Sequence, residues 1–555
     1  MPTPPGATAI DTEVLIVGGG PVGLALAVEL GQQGRRCLLV ESHERTGLVP
    51  RAKTTNVRTR ELLRRWGIAE RLAEQSPFGT GFPSNVVFAT RLRGREIARF
   101  ENAFCCAPER DDRFAEHAQW IPQYKVEAVL KARAQSFGPN VQLRFSTRLL
   151  SFAQDAEGVE AVVEDLGSGA RSAVRARYLV GADGARSTVR EGLGIRMEGT
   201  SPLSHHRNVV FRAPGLMQAH PLGPAVMYWI VNAEIPCVIA PLDQGDLWTF
   251  GYNPGAQDHP VEALIHKALG FAQPVEVLST DNWTAHQLIA QGYRSGRVFL
   301  AGDACHLHPP FGGHGMNMGV GDAADLGWKL AATLAGWGGP ALLDSYETER
   351  RQIHRRVVDE SVMNHSHRSD SLSRPELEAD GDAADQVRAQ MADAIRRLKR
   401  PEFHSLGIVI GAHFESSPIV LREPADAEPL APRADYQPNA RPGCRAPHLW
   451  LKPGTETGAS LYDHFAPQGF TLLATEPGHS DALRAVAQAA AERQVPLHTL
   501  DAPDARLPAL YGARFVLIRP DQFVAWRGND ATRALAALDV ARGLSATPQP
   551  QAETA

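Results

Sequence analysis

The chain has 555 residues, of which 43% are hydrophobic and 21% charged, with a formal net charge of −5 at pH 7. At about 100–200 residues per domain, this length predicts two to four domains. The charges are spread along the chain, which argues against a nucleic-acid partner, and the most apolar early run is too broken by glycines to span a membrane. The N-terminus lacks signal-peptide features, and six cysteines without a Cys-x-x-Cys pair predict free thiols in a reducing cytoplasm.

The first predicted elements form a strand–helix–strand unit over residues 12–42. The loop between the first strand and the helix carries Gly18, Gly20 and Gly23 in the spacing Gly-x-Gly-x-x-Gly. These glycines allow a tight turn, close approach of a pyrophosphate and close packing of helix on strand. Glu41 ends the second strand, where it is placed to accept hydrogen bonds from a ribose. The unit predicts a dinucleotide site, for either FAD or NAD(P).

Two further glycine–acid motifs each follow an apolar strand. The first contains Asp183 in "GADGARSTVREG", and the second contains Asp303 in "AGDACHLHPPFGGHGMNMG", residues 301–319. The composition of the second loop suits a metal site, a nucleophile or a wall shaped around a large flat ligand. Its side chains able to bind a metal are Cys305, His306, His308 and His314. No second cluster completes such a site, so no metal is predicted.

A β-rich section is predicted between these two motifs, over residues 206–253, and residues 76–118 are expected to join the same sheet. The side chains that we expect to line a substrate pocket there are Phe211, Arg212, Met227, Tyr228, Trp229 and Phe250. Because side chains alternate across a strand, about half of them should instead face a core. Residues 341–400 predict helices, and residues 415–440 predict a linker followed by a small α/β domain.

The three glycine motifs, in this order, resemble those of the FAD-dependent aromatic hydroxylases, the class A flavoprotein monooxygenases. The strings "PRAKTTNVRTRELLRRWG" from Pro50, "IPQYKVEAVL" from Ile121 and "DAADLGWKL" from Asp322 match that family closely. Near the C-terminus, "RPGCRAPHLWL" and "FVLIRPDQFVAWRG" resemble the thioredoxin-like tail of the subgroup that contains phenol hydroxylase and polyketide hydroxylases.

The resemblance implies an α/β fold: a Rossmann-like FAD-binding domain with an inserted β-sheet substrate domain and a C-terminal thioredoxin-like domain. The implied boundaries are 1–75, 111–204 and 286–400 for the FAD-binding domain, 76–110 and 205–285 for the substrate domain, 401–434 for a linker, 435–545 for the thioredoxin-like domain and 546–555 for a disordered tail.

The resemblance also assigns residues to a noncovalently bound FAD. Glu41 would bind the adenosine ribose, Asp303 the ribityl chain, and the backbone at Met316 and Asn317 the pyrimidine edge of the flavin. Asp183 would serve both the FAD pyrophosphate and NAD(P)H. The expected cofactor contacts are Gly18, Gly20, Gly23, Glu41, Arg51, Gln123, Asp183, Asp303, Gly315, Met316 and Asn317.

The implied reaction uses NADPH or NADH and O₂ to form a flavin C4a-hydroperoxide, which hydroxylates an aromatic ring. Pro310, with Pro309 beside it, would lie against substrate and flavin, and His286 and Tyr228 are candidates for the base that deprotonates a phenol. A Baeyer–Villiger or epoxidising enzyme, and a non-catalytic FAD protein that shields an intermediate, remain as alternatives. A flavin halogenase is disfavoured because the Trp-x-Trp-x-Ile-Pro string is missing.

Few charges occur in the predicted substrate sheet, where Arg212 is the obvious cation. We therefore expect a neutral phenolic or polycyclic aromatic substrate rather than a small benzoate. The C-terminal domain holds a single cysteine, Cys444, so it contains no dithiol. We expect that domain to serve stability or subunit contact, which leaves a homodimer open.

Overall fold

The computed structural model describes residues 10–44, 52–254, 259–423, 426, 435–451 and 459–545. Its helices are α1 Pro21–Gln32, α2 Val57–Arg65, α3 Ala69–Glu74, α4 Gln123–Gln135, α5 Thr188–Gly192, α6 Val261–Leu269, α7 Gly315–Leu334, α8 Ser345–Ser366, α9 Ser369–Leu372, α10 Asp382–Phe403, α11 Leu406–Val409, α12 Ser480–Glu492, α13 Leu507–Tyr511 and α14 Arg533–Ala541.

Strands occur in three large sheets and one short pair. They are β1 Ile10–Val17, β2 Cys37–Val40, β3 Thr54–Thr55, β4 Val86–Ala89, β5 Glu96–Phe100, β6 Gln119–Trp120, β7 Val141–Arg144, β8 Thr147–Gln154, β9 Val159–Asp165, β10 Arg171–Gly181, β11 Met197–Arg212, β12 Met227–Ile230, β13 Cys237–Asp243, β14 Leu247–Tyr252, β15 Glu276–Ala290, β16 Arg294–Ser295, β17 Val298–Leu300, β18 His306–Leu307, β19 Phe470–Ala474, β20 Leu497–Asp501, β21 Phe515–Ile518 and β22 Val524–Gly528.

The first sheet has the strand order β16-β17-β10-β1-β2-β7, with β8 and β9 continuing from β10. Strands β17, β10, β1, β2 and β7 run parallel, so their carboxyl ends meet at one edge. Helices α1 and α7 pack against each other on this sheet. The predicted strand–helix–strand unit is confirmed as β1, α1 and β2. Each of the three glycine motifs leaves the sheet at the same edge, where open α/β sheets bind ligands.

The second sheet has the order β18-β15-β11-β14-β13-β12-β4-β5. All its neighbours are antiparallel except β12 and β4. Strands β4 and β5 come from the earlier segment that was predicted to join this sheet. Helix α6 supplies buried apolar side chains to a core on one face, and helix α10 supplies them to a core on the other. The second face also receives Phe311 from the loop over residues 301–319, which was predicted to contact the flavin and is called the flavin loop below.

The C-terminal part is a small α/β unit with the strand order β20-β19-β21-β22. Strand β19 is parallel to β20 and antiparallel to β21, and helices α12 and α14 pack on the sheet. The linker predicted to begin at residue 401 begins too early, because the chain is still folded beyond that point. Helix α10 extends to Phe403, α11 follows, and Ile419 and Val420 are buried. These two apolar side chains are buried in the folded protein and are not part of a linker.

All six cysteines lie in the described part of the chain, and each is a free thiol. Among the described helices, none combines the length and the apolarity needed to cross a lipid bilayer.

Candidate active site

The glycine loop after β1 is closely packed. Gly18 has a φ of +110°, and a Cβ there would overlap with the carbonyl of Ala182. A Cβ at Gly23 would overlap with the carbonyl of Gly18. The N–H of Gly19 donates to Glu41 Oε2 at 2.7 Å, which fixes the acid at the end of β2 beside the loop. The sequence-based reasons for glycine at these positions are therefore visible in the packing.

Two helix N-termini reach this edge of the sheet without side-chain caps. Helix α1 begins after Gly20 and α7 after His314, and neither has an acidic residue in its first turn. The first N–H groups of a helix have no intrahelical partner and carry the positive end of the helix dipole. Val22 and Gly319 bring the two helices together beside Gly302. This donor set fits an anionic pyrophosphate and the electronegative edge of a flavin.

The turn that carries Asp303 is a short 3₁₀ helix, Gly302–Ala304, between β17 and β18. Its N-terminal N–H, from Gly302, donates to Asp322 Oδ2 at 3.0 Å, and the Ala304 carbonyl accepts from Arg190 at 3.2 Å. The Asp303 side chain points to the exposed side of the turn. The buried contacts hold the turn and leave Asp303 facing outward.

Asp183 has a structural role that the motif alone did not indicate. Its carboxylate accepts from the Ser187 hydroxyl and from the Val189 N–H at 3.1 Å, and so holds the start of α5. Ser187 in turn caps α5 through the N–H of Arg190. Burial raises the pKa of Asp183. The Asp-Gly motif thus positions Arg190, which reaches the neighbouring turn.

Asp322, in α7, is the buried hub behind the turn. Besides Gly302, its carboxylate accepts from His306 at 2.9 Å, Arg350 at 2.7 Å and His354 at 2.8 Å. Although burial opposes ionisation, His354 and Arg350 hold the pKa of Asp322 well below its ordinary value. The motif "DAADLGWKL" that begins at this residue did not by itself predict a role for the carboxylate.

One group in the described part of the chain has the spacing of metal ligands. Atoms of Cys305, His306 and Asp322 lie within 4.8 Å of one another and are buried. Both oxygens of Asp322 already accept hydrogen bonds, one of them from the Arg350 guanidinium. A second cation beside this arginine would be repelled, so the group is better explained as a structural network.

Asn317 organises the loop that leads into α7. Its Nδ2 donates to the Thr54 carbonyl at 2.9 Å and to Gly313, and its Oδ1 accepts from the Asn56 N–H at 2.9 Å. A Cβ on Gly313 would lie 3.1 Å from Thr54. The side chain of Asn317 therefore ties the loop to β3, while the backbone of the first helical turn remains at the sheet edge.

The loop is also held from outside the glycine motifs. The N–H of Gly312 donates to Glu402, in α10, and Lys399 forms a buried ion pair with Glu402 at 2.7 Å. His308 and His314 line the loop with Nε2 atoms that have no hydrogen-bond partner among the described residues. Burial lowers the pKa of His308 to about 3 and that of His314 to about 4, so both are neutral at pH 7.

The alternation of β12 divides the predicted substrate-binding residues between two faces. Met227 and Trp229 lie on the face that Phe311 contacts, with the Trp229 and Phe311 ring centroids 6.0 Å apart. The other predicted aromatic residues, Phe211, Tyr228 and Phe250, are fully buried in the core beneath α6. These three residues lie on the face of the sheet opposite to Phe311, so the structure does not support their assignment to the substrate pocket.

Arg212 also lies away from the pocket. It is exposed at the end of β11 and pairs with Glu276, which is likewise exposed. The two candidates for a base differ from expectation as well. The Tyr228 hydroxyl donates to the Gly223 carbonyl at 2.6 Å inside the core, and His286, which is half-buried, lies 2.8 Å from the Ser201 hydroxyl. Pro309 is buried and Pro310 exposed, as suits a loop that forms a wall.

The remaining FAD predictions concern Gln123 and Arg51. Gln123 Oε1 accepts from the Ala52 N–H at 3.2 Å, and the Gln123 N–H donates to the Ala52 carbonyl at 2.9 Å. Gln123 thus fixes the chain just after Arg51, which lies outside the described residues. Gly315 and Met316 form the first turn of α7, as described above.

Lys53 is a residue that the sequence analysis missed. Its Nζ donates to Thr249 Oγ1 at 2.6 Å and lies 5.8 Å from the centroid of the Trp120 ring. Thr249 precedes Phe250 on β14 and therefore faces the same side as Trp229. No sequence pattern joins Lys53 to Thr249, because they are separated by 196 residues.

Comparison with known proteins agrees with this geometry. The family described as "FAD binding domain" matches residues 11–361, and the family described as "Aromatic-ring hydroxylase, C-terminal" matches residues 439–545. Tetracenomycin B2 monooxygenase-dioxygenase of Streptomyces olivaceus is 36% identical over 94% of this chain and 96% of its own length.

Two solved structures extend the similarity to the whole fold. RebC with bound 7-carboxy-K252c has a TM-score of 0.89 and 36% identity, covering 97% of this chain and 100% of RebC. The flavin-dependent monooxygenase PieE, in complex with FAD and substrate, has a TM-score of 0.87 and 30% identity, covering 97% and 99%. The chain therefore belongs to the FAD-dependent aromatic-ring hydroxylases and is a flavoprotein monooxygenase.

Proposed function

We propose that the protein uses NADPH or NADH and O₂ to hydroxylate a phenolic or polycyclic aromatic substrate. One observation carries this proposal: the Pro309–Gly313 loop leads into the uncapped N-terminus of α7, beside that of α1, and its Phe311 packs on an aromatic sheet face. The first feature suits a flavin dinucleotide, and the second suits a flat apolar substrate.

The chain's own residues divide the binding of FAD among them. The first turn of α1 would hold the pyrophosphate, Glu41 the adenosine ribose and Asp303 the ribityl chain. The N–H groups at the start of α7, from Met316 and Asn317, would hold the pyrimidine edge. When bound, FAD supplies the redox chemistry, taking electrons from NAD(P)H and delivering one oxygen atom of O₂ to the substrate.

The substrate would lie on the sheet face formed by Met227 and Trp229, opposite the flavin loop. The Trp229 indole N–H is directed to Met227 Sδ at 2.8 Å, so the two side chains form an apolar surface against which α10 and Phe311 pack. Such a surface excludes water from the reacting centre. A relative named for tetracenomycin B2, and a structure with 7-carboxy-K252c, support a large aromatic substrate.

The C-terminal α/β unit is proposed to be a thioredoxin-like domain that serves stability and carries no redox function. Its mixed four-stranded sheet supports the first part of this proposal. Cys444, the single cysteine there, is buried, and burial raises its pKa to about 11. A thiol of this kind is a poor nucleophile at neutral pH.

The test is a substrate screen with purified holoenzyme. Phenols, hydroxybenzoates and polycyclic phenols are compared for their stimulation of NADH and NADPH oxidation, and the products are analysed by mass and NMR. We expect polycyclic phenols to stimulate oxidation and to gain one hydroxyl oxygen. A ring-expanded ester or an epoxide would identify the Baeyer–Villiger or epoxidising alternative, and lack of stimulation by every compound would contradict the proposal.

A further inference from the structure

Lys53 places an ammonium group at the boundary between the flavin loop and the substrate sheet. Its carbonyl accepts from the Ile121 N–H at 2.7 Å, and the next residue, Thr54, is bound by Asn317. The side chain extends across this boundary to Thr249 Oγ1, with the ring of Trp120 beside it. Lys53 thus faces the surface proposed to bind the substrate and is anchored at both ends.

This ammonium group has no acidic partner among the described residues. The charged group on the neighbouring strand, Asp243, is bound by Lys125 at 3.1 Å and by the hydroxyl of Tyr124. Burial lowers the pKa of Lys53 to about 8. A buried charge without a counter-ion is costly, so a ligand that brings a negative charge would be favoured here. Thr249 accepts one of the three ammonium hydrogens, and a ligand oxygen can accept another.

We propose that Lys53 binds an ionised oxygen, a phenolate or a carboxylate, on the aromatic substrate. This inference rests on the proposed function and refines it, because it replaces the expected neutral substrate with an anionic one. The earlier expectation considered cations on the substrate sheet alone, whereas Lys53 comes from the FAD-binding part of the chain.

Selection of a phenolate would also remove the need for a protein base. An acidic phenol loses its proton to water before it binds, and Lys53 then holds the ionised form at the flavin loop. The negative oxygen makes the ring more electron-rich and therefore more reactive toward oxygen transfer. Lys53 is in this sense a residue that determines substrate specificity.

Binding of three anthraquinones to the holoenzyme at pH 7 tests the proposal. Alizarin carries an acidic hydroxyl, anthraquinone-2-carboxylate carries a carboxylate, and 2-methylanthraquinone is uncharged. Their dissociation constants are measured by calorimetry for the wild type, Lys53→Met, Lys53→Arg and Lys131→Met. Lys131 is a matched control, because it is also partly buried and lies 4.0 Å from the centroid of an aromatic ring, that of Phe145.

We expect Lys53→Met to weaken binding of at least one anionic probe by about tenfold or more, as when a charged hydrogen-bond partner is lost. Binding of 2-methylanthraquinone should not change, Lys53→Arg should restore much of the lost affinity, and Lys131→Met should resemble the wild type. An effect on alizarin identifies a phenolate site, and an effect on the carboxylate identifies a carboxylate site. The visible absorption band of the alizarin anion should be stronger for alizarin bound to the wild type than for alizarin bound to Lys53→Met.

Two results would overturn the inference in different ways. If the wild type binds the anionic probes and Lys53→Met binds them equally well, Lys53 is no anion site, although the proposed substrate class stands. If the wild type binds none of the three anthraquinones, the proposed substrate class fails and the inference fails with it. Equal flavin content and equal unfolding temperature of all variants establish that each is folded.

Discussion

Replacing Arg519 with methionine tests how the C-terminal sheet is held on the FAD-binding part. The guanidinium is fully buried and contacts Glu349 at 2.6 Å, Asp325 at 2.9 Å and Asp521 at 2.6 Å, while Lys329 binds Asp325 and Glu349. Two cations therefore face three carboxylates, and the substitution leaves one cation. Removing one partner of a buried ion pair costs about 3–5 kcal/mol, so we expect a loss of that size in the free energy of unfolding.

The loss should depend on pH. Burial raises the pKa of Asp325 to about 7, whereas, against the effect of burial, Arg519 and Lys329 hold the pKa of Glu349 at about 2. The pKa of Glu349 in the folded state lies below its ordinary 4.5, so its stabilising effect is present above that pH and lost as the pH falls toward 2. Without Arg519, the carboxyl groups of Asp325, Glu349 and Asp521 take up protons at a higher pH than in the wild type. The stability difference between variant and wild type should therefore narrow from pH 8 to pH 5.5.

The assay is urea unfolding of the holoprotein, followed by tryptophan fluorescence. Trp328 is a suitable reporter, because Arg519 lies 5.3 Å from the centroid of its ring. Arg484→Met is the control, since Arg484 is exposed and pairs only with Asp481 one turn away on α12 among the described residues. If Arg519→Met and Arg484→Met unfold at the same urea concentration, or if the difference does not change with pH, the reasoning is refuted.

Three further predictions concern FAD and the C-terminal unit. Asp303→Ala should weaken FAD binding by about 1.5–3 kcal/mol, measured as a dissociation constant, because a ribityl hydroxyl loses a charged partner; unchanged affinity would contradict that role. Gly23→Ala should abolish FAD retention, since its Cβ would overlap with backbone, whereas Gly81→Ala, where a Cβ meets nothing within 4 Å, should retain full flavin absorbance. Cys444→Ser should keep the wild-type rate of flavin reduction by NAD(P)H, and a variant that is no longer reduced would show that the thiol takes part.

The FAD half of the site could be predicted because its signals are local. Gly18, Gly20 and Gly23 lie within six residues, and the strand before them and Glu41 after them belong to the same unit. The start of α7 was less visible. The clear helical pattern begins only near Asp322, yet the helix begins at Gly315, because glycines weaken the helical signal in its first turns.

The substrate half depends on contacts that a sequence does not display. Alternation shows that Tyr228 and Trp229 face opposite sides, but which side faces the flavin loop is set by how the whole sheet is covered: α6 lies on one face and α10 with Phe311 on the other. Lys53 was missed for a related reason, since its partner Thr249 comes from a different sheet.

The ion cluster around Arg519 also bears on the order in which parts of the chain fold during synthesis. Asp325, Lys329 and Glu349 leave the ribosome with an excess negative charge, and Arg519 follows Glu349 by 170 residues. At about 5–20 residues per second, this gap lasts roughly 10–30 s. Throughout that interval Lys329 is the one cation of this cluster for two carboxylates, so one buried negative charge is not balanced within it. We therefore expect the packing around Asp325 and Glu349 to be completed only after Arg519 has been made.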